Sequence, residues 1–342
     1  MAKSNLTSNN NNQQKKNIAI IAGGDSSEIE ISIKSSYQVA KSLDQNNYNV
    51  YVIRISKDSW VGISDNIKDI PVNKSDFSLK INDKTITFDC AFIMIHGTPG
   101  ENGILQSYFE LTGIPYTTGG VYSSALTFNK YATKIFLKEY GIFVAHTLRI
   151  QENESFDTAE IIKETGLPCF VKPNQGGSSF GISKVNHEDD LPSAIATAFK
   201  EDTEILIESY IPGTEVTCGI YQANGKEVVL PVTEIIPQTD FFDYEAKYQG
   251  LSEEITPARI PEEETAQCQA LTSHLYKILN CRGIVRMDYI LNNGSFYFLE
   301  VNTVPGMSEN SIIPQQLHAA GLNATNVYSE LIEDSIIKHQ KR

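Results

Sequence analysis

Three stretches of the chain carry residue types at spacings that could do chemistry. In RMDYILNNGSFYFLEVN, Asp288 lies on one apolar stretch and Glu300 and Asn302 on the next, with a turn at residues 292–294 between them. Residues two apart on an extended strand share a face, so Glu300 and Asn302 point the same way and Asp288 on a paired strand can meet them. Two carboxylates and an amide, with no Cys or His among them, suit a hard oxygen-seeking cation such as magnesium. Solvated surface acids are the alternative, but Met287, Tyr289, Phe298, Leu299 and Val301 interleave with them, which points to a cleft. In FVKPNQGGSSFGISKV a strand delivers Lys172 ahead of Gly176, Gly177, Ser178, Ser179 and Gly181. Backbone N–H groups of such a loop can surround phosphate oxygens while the lysine adds charge. A flexible Gly/Ser hairpin would look similar, and the Walker form GxxxxGK[ST] is missing. The third stretch, IIAGGDSSEIEIS, runs a strand through a Gly-Gly turn into a helix start carrying Glu28. A dinucleotide fold competes there, weakened by the lack of GxGxxG. IHGTPGENG at residues 95–103 is another loop at a strand end, and its His96 is either a substrate contact or a packed structural histidine.

These residues need elements to position them. NIAIIAGG reads as a buried strand and the SSEIEISIKSSYQVAKSLDQ that follows as a helix; further strands are expected at 49–55 and in FDCAFIMIHG, with a hairpin over 79–88 turning at Asn82 and Asp83. Strands alternating with helices predict an α/β domain built on a mostly parallel sheet over residues 17–122. A single helix is expected over 123–140. That helix opens a smaller second lobe, 123–211, which continues with short strands around a helix near 190–200. A third, 212–342, holds strands in VTCGIYQ, EVVLPVTEII, GIVRMDYILN and SFYFLEVN and a helix at 262–279. Residues 1–16 form a Ser/Asn/Gln/Lys tail too polar to order itself.

Bulk properties exclude other classes. With 342 residues the chain exceeds the usual single domain. A net charge of −14 without a compensating basic run disfavours nucleic acid. The five cysteines are scattered and form no CxxC pair, so they read as buried small hydrophobes in a reducing compartment. No signal-like segment occurs, and the longest apolar runs are far too short to span a bilayer. A cytoplasmic protein with no membrane partner is expected.

The segments GGDSSEIEIS, HGTPGENG, NKYATKIFLKEYGIFVAHT, VKPNQGGSSFGI, LIESYIPGTEVTCGI, FFDYEAKY, RMDYIL and FLEVNTVPGMSENSIIP together resemble the D-alanine:D-alanine ligase family of the ATP-grasp fold. The match runs from about residue 17 to the C-terminal helix. The resemblance implies a three-lobed ATP-grasp architecture, and ATP-dependent ligation of two D-alanines through a D-alanyl phosphate for peptidoglycan synthesis. It implies that Lys130 and Lys172 bind ATP phosphates, that Glu208, Tyr210 and Ile211 form the adenine hinge, and that Glu215 holds the ribose. Asp288, Glu300 and Asn302 would hold two magnesium ions, with manganese able to substitute. Glu28 would anchor the first D-alanine ammonium beside His96. Arg286 and the Gly306 N–H would stabilise the oxyanion, and Ser311 with the Ile312 backbone would receive the second carboxylate. Lys247 and Tyr248, on a loop over about 237–256, would close the site, with Tyr248 bonding to Ser178 and Glu28. A homodimer is implied as well. Tyr210 stands where the family often has tryptophan, and Asn102 replaces a frequent aspartate, so no role is carried over for Asn102. Three other readings remain beside this one: a D-alanine:D-lactate or related ligase; an NAD-dependent dehydrogenase on the first lobe, which would leave the acidic hairpin without a purpose; and a catalytically silent nucleotide-binding module, disfavoured because no expected acid or lysine is missing.

Overall fold

The computed structural model describes residues 14–64, 67–177, 179–237 and 252–341. A seven-stranded sheet comes first, in the order β6-β5-β4-β3-β2-β1-β7. Toward one edge lies the β1 strand Lys16–Gly23, flanked in parallel by β2, Tyr48–Ile55, and by the edge strand β7, Cys90–Ile93. Residues 18–22 of β1 are buried on both faces, which is why this strand reads as an unbroken apolar run. Helix α1, Ile29–Ser42, makes the crossover from β1 to β2. The expected mostly parallel sheet holds only for these three strands. β3, Trp60–Ser64, β4, Ile67–Asn73, β5, Ser78–Ile81, and β6, Lys84–Ile86, continue as an antiparallel meander. Connections of two to four residues there leave no room for the crossover that parallel pairing requires. Asn82 and Asp83 both take positive φ at the β5–β6 turn, the backbone that the expected hairpin needs.

Helix α2, Ile104–Thr112, follows the first sheet. The single helix expected over 123–140 is two, α3, Val121–Phe128, and α4, Lys130–Lys138. Asn129 leaves helical geometry at φ −86° and ψ 100°, and its side chain caps α4 by accepting from the Ala132 N–H at 2.8 Å. Asn174, at the end of the next lobe's central strand, accepts from the Lys130 and Tyr131 N–H groups through its carbonyl and its side chain, at 3.2 and 2.8 Å. The break therefore docks the start of α4, and with it Lys130, on the cleft.

A four-stranded antiparallel sheet in the order β10-β9-β11-β8 comprises β8, Thr147–Gln151, β9, Cys169–Pro173, β10, Ser183–Val185, and β11, Glu204–Ser209. Helices α5, Thr158–Thr165, and α6, Leu191–Ala198, cover one face. The third sheet, β14-β13-β12-β15-β16, is also antiparallel: β12, Thr214–Ala223, β13, Lys226–Pro237, β14, Ser252–Ile255, β15, Ile284–Asn292, and β16, Ser295–Asn302. Helix α7, Glu262–Ile278, packs on it together with Leu137 of α4. Helices α8, Ile312–Ala319, and α9, Ala324–Gln340, complete the chain. α9 returns to the first sheet, where Tyr328 meets Phe92 edge-on at 5.8 Å. All five cysteines are free and buried, as read from their scatter. Among the described residues, no helix is long and apolar enough to cross a membrane.

Candidate active site

The second and third sheets face each other across a cavity of about 390 Å³. Lys172 on β9 and Glu208 on β11 both line it, their ammonium and carboxylate 2.8 Å apart. The other oxygen of Glu208 accepts from Lys134, a wholly buried α4 residue one turn after Lys130 that sequence reasoning missed. Its position four residues on from Lys130, hence on the same helix face, was the available signal. Burial alone would push the Glu208 carboxyl up, but Lys134 and Lys172 outweigh it and hold it down at about 2. Burial lowers Lys134 toward about 7, only partly opposed by Glu208. Lys172 is also disfavoured as a cation by burial, yet the Glu208 carboxylate outweighs this and holds it above its ordinary value. The trio Lys134, Glu208 and Lys172 is thus an ion cluster inside the cleft wall. Tyr210, Ile211 and Glu215 line the same cavity, with Tyr210 packed against Phe170 and beneath the Lys184 ammonium.

The β15–β16 hairpin brings its acids together as the spacing predicts. Asp288 stands directly opposite Glu300, and Arg286 opposite Asn302. The register shifts between Asp288 and Tyr289, whose partners are Glu300 and Phe298, so Leu299 is an extra residue on β16. This bulge turns both Leu299 and Glu300 to the cleft while Phe298 and Val301 stay in the core. Without it, strict alternation would bury one of them. Arg286 forks Asp288 at 2.9 and 2.8 Å, Asn302 donates to the same carboxylate at 3.0 Å, and the buried Thr217 hydroxyl donates at 2.5 Å. Lys130 donates to the Gly176 carbonyl at 2.5 Å and lies 3.3 Å from Glu300. Two cleft-facing carboxylates beside an amide are a donor set that fits a divalent cation. Among the described residues no group of three His, Cys, Asp or Glu side chains is placed to hold a metal ion, so the hairpin offers two carboxylates and an amide and no third acid.

A second cavity, of about 450 Å³, opens on the other side of Glu300 toward the first sheet. Glu28, His96, Lys130, Arg286, Asn302 and Glu300 line it, as do Gly306, Ser311 and Ile312. The cavities therefore share Glu300. Glu28 sits at the entry to α1, so close to the glycine-rich loop that a Cβ on Gly177 would lie 2.5 Å from its carboxylate. His96 Nδ1 bonds to the Val304 carbonyl at 2.6 Å, and its buried Nε2 has no protein partner among the described residues. Glu101 is a further residue not singled out from sequence. Its carboxylate accepts from the N–H groups of Gly97, Thr303 and Val304 at 2.9, 3.0 and 2.9 Å, tying the His96 loop to the segment after β16. Burial, reinforced by nearby Glu28, pushes its carboxyl up. Ser311 stands at the N-cap position of α8, its hydroxyl turned to that of Ser308 at 2.7 Å. Ser178, Lys247 and Tyr248, and most of the loop expected over 237–256, lie outside the described residues.

Two antiparallel sheets closing on a charged cleft, behind an N-terminal α/β lobe, define an ATP-grasp enzyme. Sequence models of the D-ala D-ala ligase N-terminus and C-terminus match residues 17–119 and 134–333. The chain is similar to the D-alanine–D-alanine ligase of Christiangramia forsetii, with 50% identity over 319 residues, 93% of this chain and 98% of that one. Its similarity to the Phocaeicola vulgatus enzyme is 47% over 318 residues, again 93% and 98%. Among solved structures, the D-alanine–D-alanine ligase from Coxiella burnetii aligns with a TM-score of 0.84 and 28% identity, covering 96% of this chain and 95% of that one. The VanG D-Ala:D-Ser ligase from Enterococcus faecalis aligns with a TM-score of 0.82 and 33% identity, covering 94% and 99%. The chain belongs to the D-alanine–D-alanine ligase family, and it is an ATP-dependent ligase that uses a divalent cation.

Proposed function

We propose that the protein condenses two D-alanines into D-alanyl-D-alanine for peptidoglycan synthesis, with ATP consumed to ADP and phosphate through a D-alanyl phosphate. The observation that carries this reading is the single carboxylate, Glu300, on the shared wall of two cavities, one between the antiparallel sheets and one beside Glu28 and His96. ATP would lie in the first, its adenine along Glu208, Tyr210 and Ile211, its ribose at Glu215 and its phosphates at Lys130 and Lys172. Asp288, Glu300 and Asn302 would hold two magnesium ions, replaceable by manganese, which when bound neutralise charge on the β- and γ-phosphates.

In the second cavity Glu28 and His96 orient the first D-alanine by its ammonium, leaving its carboxylate oxygen to attack the γ-phosphorus as ADP departs. The amine of the second D-alanine then attacks the acyl carbon. Arg286 and the Gly306 N–H stabilise the oxyanion before phosphate leaves. Ser311 and the Ile312 N–H, at the start of α8, hold the second carboxylate where a helix N-terminus presents its N–H groups. Lys247, Tyr248 and Ser178 complete this reading as the elements that close the site and exclude water. Residues 17–122 serve the amino acid while 123–211 and 212–342 grip the nucleotide, and the enzyme works as a cytoplasmic homodimer.

Coupled ADP release with D-alanine, and mass analysis of the product, test the proposal. ADP release should require D-alanine, fail with L-alanine and match dipeptide formed. D-Serine or D-lactate supporting faster turnover as acceptor than D-alanine would overturn the acceptor assignment.

A further inference from the structure

Asp288 is held on its buried side by a residue that neither cavity contains. Thr217 stands opposite Asp288 in the β12–β15 register and is 1% exposed. Its single hydroxyl proton has two acceptors in reach, Asp288 Oδ1 at 2.5 Å and the Met287 carbonyl at 3.2 Å. The shorter contact, to a carboxylate, takes the proton. Arg286 and Asn302 also bond to the same carboxylate, so three residues orient it.

Thr217 is itself pinned from below. Gln316 is completely buried on α8, one turn after Ile312. Its amide donates to the Thr217 carbonyl at 3.1 Å and to the Thr233 hydroxyl at 3.0 Å, and accepts from the Gly219 N–H at 3.1 Å. That N–H sits where the β12–β13 register shifts between Cys218 and Ile220, so Gln316 fills a gap in the ladder. The fit is close: a Cβ on Gly219 would come within 2.5 Å of the Gln316 oxygen. One buried amide thus joins the helix that starts at Ser311 and Ile312 to the strand residue that orients Asp288.

We infer that Thr217 is a positioning residue for the cation-binding face of Asp288, backed by Gln316 from the amino-acid side of the site. The inference rests on the reading of Asp288 as a cation ligand. Its physical basis is that a carboxylate oriented by buried hydrogen bonds loses little freedom on meeting a metal, and removal of such a support costs roughly 10–100-fold in metal affinity.

The test is Mn2+ binding to the full-length enzyme saturated with ADP, followed by electron paramagnetic resonance of free Mn2+, with thermal melting measured in parallel. Thr217→Val, close in shape but without the hydroxyl, should raise the Mn2+ dissociation constant by roughly 10-fold or more. Thr217→Ser, which restores the hydroxyl, should bring it back toward the wild-type value. Asp288→Asn provides the reference. Weak Mn2+ binding in Asp288→Asn with wild-type binding in a folded Thr217→Val overturns the inference alone. Unchanged binding in Asp288→Asn overturns the cation-ligand reading itself. A Thr217→Val loss that Thr217→Ser fails to restore assigns the effect to packing and also overturns the inference.

Discussion

The two cavities that meet at Glu300 secure their charged groups by different means. On the cleft between the antiparallel sheets, charges answer one another directly, Lys134 and Lys172 gripping Glu208 from neighbouring elements. On the side toward the first sheet, backbone does the holding: Glu101 accepts from three main-chain N–H groups, and His96 bonds to the Val304 carbonyl. The first arrangement is rigid because a buried ion cluster is costly to open. The second depends on loops separated by more than two hundred residues keeping their relative positions. Substitutions should therefore act on stability and nucleotide together on one side, and on amino-acid binding with little else on the other.

Glu300 belongs to both sides and should show the largest effect. Glu300→Gln removes charge from the shared wall and should lower kcat by roughly 10³-fold, on the order of 4 kcal/mol, with circular dichroism and melting unchanged. A variant retaining most of its activity at saturating magnesium would break the assignment of the hairpin.

Lys134→Met probes the ion cluster. It leaves the buried Glu208 facing Lys172 alone, and should destabilise the fold by about 3 kcal/mol in denaturant titration. The same cluster gives a pH signature. Glu208 is held down from 4.5 to about 2, so its contribution is fully present above about 4.5 and is lost as pH falls from there toward 2. Glu208→Gln should flatten that acid limb of stability. An unchanged limb, or a silent Lys134→Met, would show that the cluster does not carry the cleft.

Gly177→Ala sharpens the contrast from the other side with a smaller effect. The added Cβ would displace the Glu28 carboxylate, and loss of one hydrogen bond to a charged group is worth roughly 1.5 kcal/mol, about tenfold in KM for the first D-alanine. The KM for ATP should move much less. A rise in the KM for ATP with an unchanged KM for D-alanine would mean that the loop serves phosphate alone.

The sequence was most readable where chemistry follows from a local period. Asp288, Glu300 and Asn302 could be placed on one face from strand alternation, and the structure adds only the bulge at Leu299. Lys172 and its loop were recognisable from glycine content. Of the meander only the β5–β6 hairpin was; β3 and β4 were not, because their mixed Gly, Asp and Pro content leaves little alternation between short strands. The break at Asn129 hid inside a helical pattern, since a cap residue in mid-pattern gains its meaning from Asn174 in another lobe. Glu101 and Thr217 escaped notice for a related reason: each acts through a partner more than 70 residues away, which no window of sequence reveals, whereas Lys134 had a local signal in the helix face it shares with Lys130.

The account rests on a carboxylate oxygen of the first D-alanine attacking the γ-phosphorus at the junction of the cavities. D-Alanine labelled with 18O at both carboxylate oxygens tests this directly. That oxygen stays on phosphorus when the second amine displaces phosphate from the acyl carbon, so the released phosphate should carry one 18O for each dipeptide formed. Unlabelled phosphate alongside dipeptide would contradict the account.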